Sequence, residues 1–180
     1  GNELRNLLAT ALESNNNFSI RYPKSHSRVF DLNIDPMILE IGKWEILHKG
    51  TSTAVLAVGS MVGMIMDNKD LIYKELGYLP TIVNALFIKP LDEVLLLSLC
   101  ESHESVITIE EGALTGGFGS AVSDFLHDNK QNNQLSRLGI PDHFIQHGTR
   151  NELLQEVGLT ADNLISIMEK LVAKEEVYDF

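Results

Sequence analysis

Residues 107–126 read ITIEEGALTGGFGSAVSDFL. A β-branched apolar run leads into two carboxylates, Glu110 and Glu111, and then into a glycine cluster at Gly116, Gly117 and Gly119. Apolar residues follow at helical spacing, Val122, Phe125 and Leu126. Strand, glycines and helix in that order form half of a βα unit. Glycines at such a turn have two uses. They let helix N–H groups meet a bound phosphate, or they let two stretches of backbone approach closely. A dinucleotide fingerprint requires G-x-G-x-x-G straight after the strand. Here Gly117-Phe118-Gly119 is followed by Val122 where the third glycine belongs, and about six residues separate the strand from Gly117, with Glu110 and Glu111 in that gap. No Lys-Ser/Thr pair follows Gly119, so a phosphate-cradling Walker loop is also absent. Paired carboxylates beside the loop repel an anion. The spacing therefore favours a loop that approaches the protein's own backbone.

The same alternation extends in both directions. Upstream, KWEILHKG reads as an edge strand and STAVLAVGS as a strand buried on both faces. MVGMIMDNKDLIYKELG reads as one helix stopped by Gly77. TIVNALFI (strand) and LDEVLLLSLCES (helix) lead to the strand SVITIE. Downstream, NNQLSRLG carries a short strand, TRNELLQEV has a capping-box spacing between Thr149 and Glu152, and TADNLISIMEKLVAKEE is a final amphipathic helix. Strands alternating with helices imply right-handed crossovers and a parallel sheet covered on both faces. The expected fold is a three-layer α/β/α domain with a mostly parallel five-stranded sheet. One antiparallel edge strand is expected, KWEILHKG, paired to STAVLAV through a hairpin at HKGTS.

The N-terminal region differs. NELRNLLATAL places Leu4, Leu7, Leu8, Ala11 and Leu12 on one helical face, and FSIRY reads as a short strand. PKSHSRVFDLNIDP has no sustained period and reads as a linker. One helix and one strand are too little for a domain. The expected organisation is the end of an upstream domain over residues 1–22, a linker over 23–40, the main domain over 41–176 and a tail over 177–180.

The 180 residues carry a net charge of −11, with 44% hydrophobic and 22% charged residues. Such a charge repels nucleic acid and anionic membranes as principal partners. No apolar run reaches membrane-spanning length, and the N-terminus GNELRNLL lacks the basic and apolar regions of a signal peptide. The lone Cys100, in an apolar helical stretch, fits a small buried hydrophobe in a reducing compartment. His143 and His147 stand at i, i+4, a spacing that suits a metal on a helix, but Pro141 and Gly148 frame a loop. No G-x-S-x-G elbow supports a serine nucleophile. Arg21-Tyr-Pro-Lys24 sets two cations around a rigid proline at the edge of the linker, where they suit either a phosphate or solvent.

In order, IRYPKS, LEIGKWEIL, VLAVGSMV, ALFIKPLDE, SHESVITIEEGALTGGFGSAVSDFL and LGIPDHFIQHGTRNELLQEVGL resemble the 1-deoxy-D-xylulose-5-phosphate synthase family of the transketolase group. The resemblance spans residues 2 to about 171 and corresponds to the end of the pyrimidine-binding domain, the linker and the C-terminal domain. It implies decarboxylation of pyruvate and condensation with D-glyceraldehyde 3-phosphate, serving isoprenoid, thiamine and pyridoxal synthesis. It also implies thiamine diphosphate and Mg²⁺ as cofactors, a homodimer, and a cytoplasmic or plastid-type location. The resemblance places the catalytic, cofactor-binding and metal-binding residues in regions outside this chain, which alone is expected to be inactive. The family motif R-Y-P-R-G implies a phosphate-binding role at Lys24, with Arg21 beside it. Here lysine and Ser25 replace the motif's second arginine and its glycine. Lysine keeps the charge and loses the bidentate fork. A β-subunit-type domain of another thiamine-diphosphate enzyme, or a non-enzymatic dimerisation module, is the alternative.

Overall fold

A computed structural model describes residues 1–23, 31 and 33–175. Helix α1 (Asn2–Glu13) comes first, followed by β1 (Glu45–His48), β2 (Thr53–Ala57), α2 (Ser60–Asp67), α3 (Lys69–Leu76) and β3 (Thr81–Asn84). Then come α4 (Glu93–Ser102), β4 (Ser105–Ala113), α5 (Phe118–Asp128), β5 (Gln134–Ile140), α6 (Arg150–Glu156) and α7 (Ala161–Glu175). The strands form one sheet in the order β1-β3-β2-β4-β5. The β3–β2, β2–β4 and β4–β5 pairs are parallel, and β1 runs antiparallel to β3 at the edge.

Alternation along the central strands divides the core in two. Val55 and Ala57 of β2 join Ile82, Ile107 and Ile109 under α2, α3 and α7, where Met61, Ile65, Ile72, Leu164 and Met168 pack. Ala54 and Leu56 point the other way, with Val83 and Val106, under Leu96 and Leu99 of α4 and Phe118, Val122 and Leu126 of α5. All five residues of β2 are buried, as a central parallel strand covered on both faces requires. The three-layer arrangement with an antiparallel edge strand is thus the one expected.

Four local expectations are corrected. First, β1 pairs with β3 rather than β2. Gly50 lies against the backbone of Leu79 and Pro80, so close that a Cβ there would stand 2.1 Å from the Leu79 carbonyl oxygen. Its N–H donates to Thr81 Oγ1 at 2.9 Å. The chain leaving β1 therefore crosses the start of β3 instead of turning back in a hairpin. Second, the helix expected over residues 61–77 breaks at Asn68 (φ −107°, ψ 14°), whose Nδ2 donates to the Met64 carbonyl at 2.8 Å. Asparagine competes for backbone hydrogen bonds in this way and so favours helix ends. Gly77 does end α3 in the left-handed conformation, φ 75°. Third, β4 continues through both glutamates to Ala113, with its register to β5 shifted between Ile109 and Ala113. Fourth, residues 18–22 contain no strand, since no neighbouring strand supplies a ladder among the described residues.

Candidate functional site

The extension of β4 matters because successive strand residues face opposite sides of a sheet. Glu110 turns towards α5 and Glu111 towards α2 and α6. Glu110 is buried. Its Oε2 accepts the Phe118 N–H at 3.0 Å and its Oε1 accepts the Gly119 N–H at 2.8 Å. These are free donors of the first turn of α5, where a helix end favours negative charge. The anion held by the glycine loop is thus the protein's own carboxylate.

The glycines make room for it. A Cβ on Gly112 would stand 2.3 Å from Glu110 Oε2, and one on Gly117 would stand 2.1 Å from the Ala113 carbonyl oxygen and 2.7 Å from Glu110 Oε1. At Gly119 a Cβ would approach Thr108 Oγ1 to 2.6 Å. Gly116 has φ +75°, which supplies the turn. Phe118 is fully buried and meets Trp44 edge-on, with ring centroids 5.6 Å apart. Trp44 is fixed in turn by its Nε1–H donating to the Phe87 carbonyl at 2.8 Å and its backbone N–H donating to Asp92 Oδ2. Asp92 also caps α4 by accepting the Leu95 N–H.

On the other face, Ser60 Oγ and the Arg150 guanidinium both donate to Glu111 Oε1. This lies at the carboxyl ends of β2 and β4, whose outgoing connections run to opposite sides of the sheet. Open α/β sheets use the crevice at such a switch point for ligands. Here it is crossed by a side-chain bridge from α2 through Glu111 to α6. Thr149 precedes Arg150 as the cap of α6, and the capping box with Glu152 is complete, as its spacing implies. The Thr149 side-chain and backbone hydrogen bonds hold the Glu152 carboxyl below its ordinary pKa.

The sequence candidates fall elsewhere. Lys24 lies outside the described residues. Arg21 is exposed. His143 and His147 are exposed in the non-helical segment after β5, and no group of three or more His, Cys, Asp or Glu able to hold a metal occurs among the described residues. Cys100 is buried, and burial, followed by the charge of Glu101, pushes its thiol pKa up, as for an unreactive thiol. It borders an open hollow of about 450 Å³ lined by Glu104 and residues 130–134, at the opposite end of the sheet from the glutamates. No described helix is long and apolar enough to cross a membrane. Thiamine diphosphate with Mg²⁺ requires oxygen ligands for the metal and free donors for the phosphates. The described residues do not fit that group, because the α5 donors are taken by Glu110 and no metal-ligand cluster accompanies them.

Sequence reasoning missed Glu110 as a ligand of the loop, along with the Ser60–Glu111–Arg150 bridge and the Trp44–Asp92 support. Only Asp92 had a local signal, an aspartate just before the apolar helix.

Three comparisons with known proteins bear on this arrangement. Residues 42–164 match the family model "Transketolase, C-terminal domain". The chain is 37% identical over 180 residues to a 1-deoxy-D-xylulose-5-phosphate synthase of Halalkalibacterium halodurans, covering 97% of this chain and 28% of that protein. It is 40% identical over 172 residues to the synthase of Shouchella clausii, covering 93% of this chain and 27% of that protein. The chain therefore spans little more than a quarter of the length of these curated relatives. A solved structure described as "Split gene transketolase, inactive beta4 tetramer" superposes with a TM-score of 0.70 at 27% identity, covering 82% of this chain and 46% of that one.

Proposed function

The chain belongs to the transketolase C-terminal domain family, and from that premise we propose that it is the C-terminal part of a 1-deoxy-D-xylulose-5-phosphate synthase. The observation that carries this reading is the match to such synthases over nearly all of the chain, 97% of it in one case. It extends beyond the family model's residues 42–164, into the helix and linker that precede the domain. The whole enzyme would decarboxylate pyruvate and join the two-carbon unit to D-glyceraldehyde 3-phosphate, for isoprenoid, thiamine and pyridoxal synthesis. Thiamine diphosphate would supply the carbanion chemistry, with Mg²⁺ anchoring its phosphates, in the part of the enzyme that lies outside this chain.

In this reading, residues 1–22 close the preceding pyrimidine-binding domain and residues 41–176 form a rigid C-terminal block that supports a homodimer. The internally satisfied Glu110 and Glu111 suit such a supporting role, because they stiffen the block without presenting a reactive group. The chain by itself is inactive and self-associates. The structural neighbour, an inactive β4 tetramer of a split-gene transketolase, supports that part. Lys24, with Arg21 beside it, would neutralise the substrate phosphate.

A chimera tests the assignment. Residues 1–171 replace the matching segment of the H. halodurans synthase, and condensation of pyruvate with D-glyceraldehyde 3-phosphate is assayed. Activity is expected; a folded, cofactor-loaded chimera without activity contradicts the proposal. In the same chimera, Lys24→Ala is expected to raise KM for D-glyceraldehyde 3-phosphate roughly tenfold or more, the scale of one lost charge-assisted contact, with little effect on KM for pyruvate. Equal changes for both substrates would remove Lys24 from phosphate recognition.

A further inference from the structure

Helix α1 turns its polar positions inward. Its one buried residue is Thr10, while Leu8 and Leu12 are exposed. Asn2, Asn6 and Thr10 recur at i, i+4, i+8 and so form one row along the helix. Each accepts a backbone N–H from the segment that leads into the sheet. Asn2 Oδ1 takes that of Asp31 at 3.1 Å, Asn6 Oδ1 that of Met37 at 3.0 Å, and Thr10 Oγ1 that of Leu39 at 2.8 Å. A backbone N–H can only donate, so each side chain serves here as an acceptor. The Thr10 hydroxyl gives its own proton to the Asn6 carbonyl at 2.7 Å, which leaves its lone pairs for Leu39. Arg5 closes the same contact by donating to the Asp31 carbonyl at 2.6 Å.

Residues 33–39 have no helix or strand of their own, so α1 supplies partners that a ladder would otherwise give. Beyond them, the chain is fixed again where the Trp44 N–H meets Asp92. Helix α1 is also pinned to the sheet directly, because Asn84 Nδ2 donates to Glu3 Oε2 at 2.8 Å. That pin leaves the buried Asn84 Oδ1 with no hydrogen-bond partner among the described residues. An orphaned acceptor costs free energy, so stability alone does not explain the contact.

We propose that Asn6 and Thr10 are positioning residues, which turn the linker into a strut holding the preceding domain at one angle to the C-terminal block. This rests on the reading above, in which α1 closes that domain. A free linker lets two domains reorient by default. Acceptors on three successive turns register the segment at three points, so it neither slides along α1 nor swings away from it. What the strut supplies to the reaction is orientation.

Variants that remove or keep the acceptor separate this role from packing. Thr10→Val and Asn6→Leu keep the bulk without the acceptor, and leucine is the better helix former, so Asn6→Leu leaves α1 itself intact. Thr10→Ser and Asn6→Asp keep an acceptor. On the 180-residue chain, nuclear magnetic resonance measures hydrogen exchange at the Asp31, Met37 and Leu39 amides and the residual dipolar couplings of α1 against those of the sheet. Thr10→Val and Asn6→Leu are each expected to speed exchange at all three amides roughly five- to tenfold, the scale of one lost hydrogen bond, and to reduce the α1 couplings. Thr10→Ser and Asn6→Asp are expected to stay near wild type in both. In the H. halodurans chimera, the acceptor-free variants are expected to lower kcat with both KM values little changed, unlike Lys24→Ala. If Asn6→Leu does not fold, Thr10→Val decides. Unchanged exchange and couplings overturn the strut. Reduced couplings with an unchanged kcat overturn its part in the reaction. An inactive parent chimera contradicts the enzyme assignment alone, and the exchange and couplings then decide the strut.

Discussion

The glycine loop and the N-terminal helix treat their unsatisfied groups in opposite ways. At the glycine loop, each exposed possibility is closed from within. The first-turn N–H groups of α5 meet Glu110, the switch-point crevice is bridged through Glu111, and Phe118 is sealed against Trp44. Along α1, Asn2, Asn6 and Thr10 accept backbone N–H groups of residues 31–39, yet Leu8 and Leu12 face outward. In the closed region both Glu110 oxygens are engaged, and the buried Thr108 Oγ1 beside Gly119 is left without a hydrogen-bond partner among the described residues. A glycine-rich loop before a helix is therefore a poor guide to a ligand until the occupant of its N–H groups is known.

Substitutions sharpen the contrast. The largest effect is expected in the closed region. Gly117→Ala forces a methyl group into the Ala113 carbonyl and the Glu110 carboxylate, and should cost roughly 3 kcal/mol in denaturant unfolding. Glu110→Ala strands two buried donors and should cost about 2–3 kcal/mol. Losses below about 1 kcal/mol for both would mean that the loop is not held together by that carboxylate. The open region should respond far less. Leu12→Ala, at a side chain 87% exposed, should change stability by no more than about 0.5 kcal/mol under dilute conditions where the chain is monomeric. A loss of about 2 kcal/mol there would show that α1 is buried within its own chain, and the two regions would no longer differ.

Much of the fold is legible in the sequence because it depends on local periodicity. The buried run STAVLAV, the alternation of strands with helices and the Thr149–Glu152 box all carry their structure in adjacent residues. The misreadings are non-local or depend on one residue. Nothing near β1 signals that it passes STAVLAV to pair with residues 82–84, because the close approach of Gly50 to Leu79 and Pro80 is set by the tertiary fold. The break at Asn68 turns on one side-chain hydrogen bond inside an otherwise helical pattern. At the candidate site, the paired glutamates signal by their charge alone that the loop is hostile to phosphate. That Glu110 itself fills the anion position follows only from the continuation of β4 to Ala113, which sends neighbouring carboxylates to opposite faces. Lys24, the residue assigned to phosphate by resemblance, lies outside the described structure and rests on the chimera.

The most direct measurement is a titration of the isotope-labelled chain with inorganic phosphate and then with thiamine diphosphate plus Mg²⁺, following the backbone amides of Gly116, Gly117, Phe118 and Gly119. With Glu110 already bound to the Phe118 and Gly119 N–H groups, no saturable shift is expected at these four amides up to millimolar ligand. A saturable shift confined to them would show that an external anion displaces the carboxylate, and would contradict the self-filled loop.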